Sequence, residues 1–234
     1  MTGKVREIIL DTETTGLYAK NGDRIIEIGC IELIDQERTG RYFHRYINPK
    51  RSISLEASKV HGITDSHVAD KPTFAEIVKD FIEFVHIDSK LVIHNAGFDM
   101  SFINMELELC GYPAICSKRV VDTLTIARRQ FPGSPASLDA LCKRFKISLS
   151  TREKHGALID AELLAAVYVN LIGTRVQSAM NLFETPAANI NQNAIKTIKQ
   201  RPTRTHEISA EEQAAHEEFL QKLNSPIWKN CGKA

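Results

Sequence analysis

The chain has 234 residues, 43% of them hydrophobic and 25% charged, with a formal net charge of +1. Such proportions build one good-sized globular domain plus an appendage, and they exclude a disordered or fibrous chain. Residues 185–234 hold seven Lys/Arg and five Asp/Glu, leaving 23 basic against 24 acidic residues in 1–184, so the main block lacks the basic bias of a tight duplex binder.

The first residues, Met1 to Glu7, have no apolar stretch behind their charges, and no later apolar run has the length of a membrane span. A soluble, cytoplasmic protein without membrane association is expected. Cys30, Cys110, Cys116, Cys142 and Cys231 are odd in number and form no C-x-x-C pair, which predicts reduced thiols, not a disulfide framework or a zinc site.

Ile8-Ile9-Leu10-Asp11-Thr12-Glu13-Thr14-Thr15-Gly16 reads as a buried strand that delivers carboxylates to the edge of a core. Strand side chains alternate, so Asp11 and Glu13 share one face and Thr12 points to the other. Two carboxylates in one small volume raise each other's pKa unless a cation lies between them, and hard oxygen ligands suit Mg²⁺ or Mn²⁺. A second strand is predicted over Arg24–Ile34 and a third over Arg41–Ile47, forming an antiparallel meander. Thr73-Phe74-Ala75-Glu76 is a capping box that opens an amphipathic helix bearing Phe74, Ile77, Val78, Phe81, Ile82 and Val85.

Leu91-Val92-Ile93 is a further short strand, followed by His94-Asn95-Ala96-Gly97-Phe98-Asp99. The helix that begins there carries Phe98, Phe102, Met105 and Leu109 on one stripe and stops at Gly111. Val120-Val121-Asp122 starts another strand-to-helix step, Ser137 caps a helix, and Gly156 to Leu171 forms a long Ala/Leu-rich helix. Three strands followed by alternating helices and strands predict an α/β fold, a mixed sheet flanked by helices. From Thr185 to His206 apolar periodicity is lost, as in a flexible linker, and Ser209 to Glu212 is a second capping box before a short helix with Ala215, Phe219, Leu220 and Leu223 on one side.

Three acidic signatures thus occur in order on separate elements: Asp11-x-Glu13, Asp99 and His155-x-x-x-x-Asp160. Singly, each fits a plainer role, since Asp99 and Asp160 suit the first turn of a helix and a loop histidine suits a surface. Jointly they are expected to converge where strand ends meet helix starts, which is where open α/β sheets place their ligands. Four carboxylates there imply two divalent cations aligned for in-line attack at phosphorus, with His155 as the base that deprotonates water.

Asp11-x-Glu13-Thr14-Thr15-Gly16, His94-Asn95-Ala96-Gly97-Phe98-Asp99 and His155-Gly156-Ala157-Leu158-x-Asp160-Ala161 resemble the three motifs of the DnaQ-like, DEDDh-type 3′–5′ exonucleases of the ribonuclease H-like superfamily. The resemblance spans about residues 5–172. It implies Asp11, Glu13, Asp99 and Asp160 as ligands of two Mg²⁺ or Mn²⁺ ions and His155 as general base. It also implies that Glu56 and His61 contact the terminal nucleotide of a single-stranded or frayed 3′ DNA end.

The tail, with Glu211-Glu212-Gln213-Ala214-Ala215-His216-Glu217 and Trp228, looks like the C-terminal segment of the family's replicase members, the bacterial DNA polymerase III epsilon subunits, where that segment binds the alpha-type polymerase subunit. Phe219 and Trp228 are its expected anchors. Gln177-Ser178-Ala179-Met180-Asn181-Leu182-Phe183 resembles short sliding-clamp-binding peptides, with Gln177, Met180, Leu182 and Phe183 as contacts in an extended segment. The resulting division is an exonuclease domain over 1–173, a clamp-binding peptide over 174–184, a linker over 185–206 and a polymerase-binding segment over 207–234. The expected function is proofreading of mispaired 3′ ends by two-metal hydrolysis. An RNA-trimming exonuclease of the same superfamily and a catalytically silent polymerase adaptor are the alternatives.

Overall fold

The structure is a computed structural model that describes residues 4–149, 155–183 and 209–221, with backbone alone for 174–183 and 220–221. The linker and Trp228 lie outside the described residues. By backbone contacts the chain divides into a unit of residues 1–185 and a second of 186–234.

Five strands form one mixed sheet in the order β3-β2-β1-β4-β5. Strand β1 (Arg6–Thr14) pairs antiparallel with β2 (Ile25–Ile34), and β2 pairs antiparallel with β3 (Glu37–Tyr46). The meander is as expected, although β3 begins four residues earlier than its aromatic alternation suggests. Its hairpin turns through Asp35 and Gln36, whose φ angles of 52° and 68° are the left-handed pair of a two-residue turn. Lacking glycine or asparagine, that turn gave no local signal. On the other side β1 pairs parallel with β4 (Lys90–Ile93), and β4 with β5 (Val120–Asp122).

Alternation along β1 sorts the core into two layers. Ile8 and Leu10 pack with Ile28, Cys30 and Phe43 against α3 (Phe74–Val85) and α4 (Ala96–Leu109), while Ile9 packs with Ile31 and Val92 against Ala161, Leu164 and Tyr168 of the long last helix of this unit. Thr73 and Glu76 cap α3 reciprocally: Glu76 Oε2 accepts from the Thr73 amide and hydroxyl at 2.7 Å. The buried side of α4 is rotated from the expected stripe. Ile103 and Leu107 are buried and Leu109 is 63% exposed, because Glu106 turns inward to grip Arg24 at 2.6 and 2.7 Å.

The remaining helices are α1 (Leu55–His61), the single turn α2 (Asp65–Val68), α5 (Thr123–Gln130) and α6 (Leu138–Arg144), the last capped by Ser137 as predicted; Ala127 of α5 and Leu141 and Cys142 of α6 pack against Leu163, Val167 and Leu171 of the long last helix of this unit. Helix α7 spans Ala157–Phe183, longer than the predicted 156–171. Nothing between Ala157 and Phe183 stops it, since the stretch contains no proline and only one glycine, Gly173. Gln177, Met180, Leu182 and Phe183 therefore stand on helical backbone, not in the extended segment expected; their side chains lie outside the described residues.

In the second unit, α8 (Ala210–Gln221) starts at the predicted capping box, with the Glu212 amide donating to Ser209 Oγ at 3.2 Å, and Phe219 is exposed. Among the described residues no helix is long and apolar enough to cross a membrane.

Candidate active site

The catalytic candidates meet at the end of β1. Asp11 and Glu13 lie opposite Gly29 and Glu27 of β2, and by alternation both face the layer covered by α7. Thr12 faces the other way and binds the third signature: its amide and hydroxyl both donate to Asp99 Oδ1, at 3.1 and 2.7 Å. Asp99 stands in the first turn of α4. The turn into that helix is set by Asn95, left-handed at φ 62°, whose amide donates to Asp122 Oδ1 at 3.0 Å. Asp160 is in the first turn of α7 and 4% exposed, and His155 on the preceding residues brings Nδ1 to 3.1 Å from Asp160 Oδ2.

Glu13, His155 and Asp160 each offer a ligand atom within 4.8 Å of one another, so they could hold a metal ion. Asp11 and Asp99 stand just outside that tight group and are tied to it electrostatically. Burial pushes the Asp11 carboxyl well above the ordinary carboxylate range, and the charges of Asp99, Asp160, Glu13 and Glu27 push it further. Burial likewise raises Asp99 to about 7, against the opposing hydrogen bonds from Thr12. All the donors but one are carboxylate oxygens, a hard set that fits Mg²⁺ or Mn²⁺, and divalent charge would relieve the repulsion that raises Asp11.

Glu56 and His61, on α1, line a mostly apolar cleft of about 340 Å³ beside Glu13, together with Leu17, Val60 and Phe98. Ile63 donates its amide to His61 Nδ1 at 3.0 Å, and burial lowers the His61 pKa, so the neutral ring carries its hydrogen on Nε2. Glu56 is exposed at the rim. All seven of these predicted residues thus sit around one sheet edge, whereas Phe219 belongs to the second unit.

Two participants escape a reading of motifs. Thr12 lies inside the first motif, but its grip on Asp99 spans 87 residues and has no local sign. Glu27 is 3% exposed; its Oε1 is 2.8 Å from His44 Nε2, and its Oε2 accepts from the Ala157 amide at 3.2 Å. A lone acid amid Ile25, Ile26 and Ile28 was the available signal, since such a charge is buried only with partners.

The exonuclease family profile matches residues 8–168. The chain is 48% identical over 224 residues to the DNA polymerase III subunit epsilon of Rickettsia conorii, covering 94% of this chain and 96% of that subunit. It is 39% identical over 243 residues to the subunit of the same name from Escherichia coli K12, covering 97% and 99%. Among solved structures it resembles Exonuclease X in complex with 5′ overhanging duplex DNA, with TM-score 0.57, 31% identity, 72% of this chain and 92% of that one. Escherichia coli Exonuclease I in complex with a dT13 oligonucleotide shares the fold at 18% identity, with TM-score 0.66 over 76% of this chain and 43% of that one. The mixed sheet, the acid-lined edge and these relatives agree: the chain belongs to the exonuclease family, among the DNA polymerase III epsilon subunits.

Proposed function

We propose that this chain proofreads DNA synthesis by hydrolysing mispaired 3′-terminal nucleotides, and that Asp11, Glu13, Asp99, Asp160 and His155 carry the chemistry. The supporting observation is the meeting of these side chains from β1, α4 and α7 at one sheet edge, in a chain that matches the epsilon subunits over 94–97% of its length. The four carboxylates would hold two divalent cations, Mg²⁺ or Mn²⁺, which when bound neutralise charge on the scissile phosphate and favour in-line displacement.

His155 takes the proton of the attacking water, and its contact with Asp160 holds the ring at the acid cluster. The water oxygen bonds to phosphorus, the 3′ oxygen of the preceding nucleotide leaves, and a nucleoside 5′-monophosphate is released without a covalent enzyme intermediate. In the adjoining cleft the neutral His61 offers an Nε2 hydrogen and Glu56 an acceptor to the terminal nucleotide, while Leu17, Val60 and Phe98 give its base an apolar surround. A strand must leave its duplex to enter this cleft, and unpairing costs least at a mismatch.

The same proposal assigns Phe219 and Trp228 to the alpha-type polymerase subunit and Gln177, Met180, Leu182 and Phe183 to a sliding clamp. Because α7 is helical to Phe183, clamp binding by an extended peptide entails unwinding of its last turns. The deciding experiment compares DNA and RNA oligonucleotides with frayed 3′ ends in Mg²⁺. Faster mononucleotide release from DNA, faster again at a mispaired than a paired end, and lost in a folded Asp11→Ala variant, is the expected result. Preference for RNA would assign end-trimming instead, and release from neither would assign a silent adaptor.

A further inference from the structure

Glu27 is a buried carboxylate next to the acid cluster whose oxygens are both committed elsewhere. It lies directly opposite Glu13 in the β1–β2 register, so the two side chains rise from the same face of the sheet. Unlike Glu13, it is not among the side chains whose ligand atoms cluster with His155 and Asp160. His44, on edge strand β3, engages Oε1, and the amide of Ala157, the first residue of α7, donates to Oε2. Asp160 occupies that same helical turn, its amide donating to the Gly156 carbonyl at 2.9 Å.

A second observation marks this turn as a point of fixed distance. Gly29, two residues along β2 and opposite Asp11, lies so close that any Cβ would overlap the backbone of Ala157 and Leu158. Gly29 thus permits a close approach of helix and sheet, and Glu27 is a hydrogen-bond acceptor for the helix there. Such a device suits a metal centre, whose ligands must be kept within about half an ångström of working geometry.

We propose that Glu27 is a positioning residue for the metal centre: held by His44, it anchors the first turn of α7 so that Asp160 and His155 stay in register with Asp11 and Glu13. This inference rests on the ligand assignment made above, and its test separates the two. Mn²⁺ binding is measured by calorimetry and electron paramagnetic resonance on the folded chain without DNA, beside the Mg²⁺ dependence of cleavage. Glu27→Ala is expected to weaken Mn²⁺ binding and raise the half-saturating Mg²⁺ concentration by roughly 10- to 100-fold, the range of residues that orient metal ligands.

Glu27→Gln should stay within about threefold of the parent, since an amide can accept from Ala157 and donate to His44. Tyr168→Phe is the structural control. It removes a 2.6 Å bond to Glu7 that ties α7 to β1 away from the site, so it should lower thermal stability and leave Mn²⁺ affinity unchanged. Should Glu27→Ala not fold, His44→Ala takes its place with a severalfold weakening expected. Unchanged Mn²⁺ affinity in the folded variant, or an equal loss in Tyr168→Phe, overturns the proposal. A parent chain that binds no Mn²⁺ overturns the ligand assignment first. Binding without cleavage overturns only the activity.

Discussion

At the scale of single residues, the site is a store of unfavourable charge. Asp99 titrates at about 7 in the folded chain against an ordinary 3.8, so without metal the folded state holds this proton more tightly than the unfolded one. Its stabilising contribution is complete below 3.8 and is lost as the pH rises through about 7. In a chelator, the melting temperature should therefore fall between about pH 4 and pH 7, and Asp99→Asn, which can still accept from Thr12, should flatten that fall. An unaltered slope in the variant would show that other groups dominate. His155 is exposed enough to meet solvent yet bonded to Asp160. As the base, it should cost roughly 10²–10⁴-fold in kcat when replaced by alanine, with KM little changed; a loss confined to KM would make it a binding residue.

At the scale of elements, the contact of β2 with the start of α7 matters most. The helix carries one of the proposed ligands and the sheet two, and their separation is set where Gly29 meets Ala157. Gly29→Ala must push the two apart or strain the strand, and overpacking of this kind costs about 1–3 kcal/mol. Chemical denaturation should read that loss, and activity should fall further than stability alone accounts for, because Asp160 moves with the helix. A variant with parental stability would mean that the first turn of α7 shifts freely. Elements with caps or alternation were legible beforehand: Thr73 with Glu76, Ser137 and Ser209 each start a helix where their side chains predict. The apolar stripe expected along α4 breaks at Leu109, where a buried ion pair, Arg24 with Glu106, outweighs apolar periodicity.

At the scale of the whole molecule, the catalytic unit has no basic excess to hold DNA, so in the proposed role persistence at a primer end would fall to the two proposed tethers. Deleting residues 207–234 should leave mononucleotide release by the isolated protein unchanged and abolish co-elution with the alpha-type polymerase subunit. Combining Gln177→Ala, Leu182→Ala and Phe183→Ala should weaken clamp binding and proofreading in the assembled replicase, yet spare the isolated activity. If that triple variant unfolds, or loses activity in isolation, the end of α7 belongs to the catalytic unit and the clamp assignment is wrong.

The sequence by itself determined the α/β class, the strand meander, the helix starts at Thr73, Ser137 and Ser209 and the order of the acidic signatures, because alternation and capping are local and printed in neighbouring residues. It also carried the family resemblance, since three motifs at their spacings exceed chance. Only the tertiary structure decided that Thr12 holds Asp99, that Glu27 reaches from β2 to α7, and that Gly29 lies against the start of α7. Each of those contacts joins residues about 90 to 130 positions apart, and nothing local to either partner encodes the meeting. Hydrogen-bond partners of buried groups are chosen by the packing of whole elements.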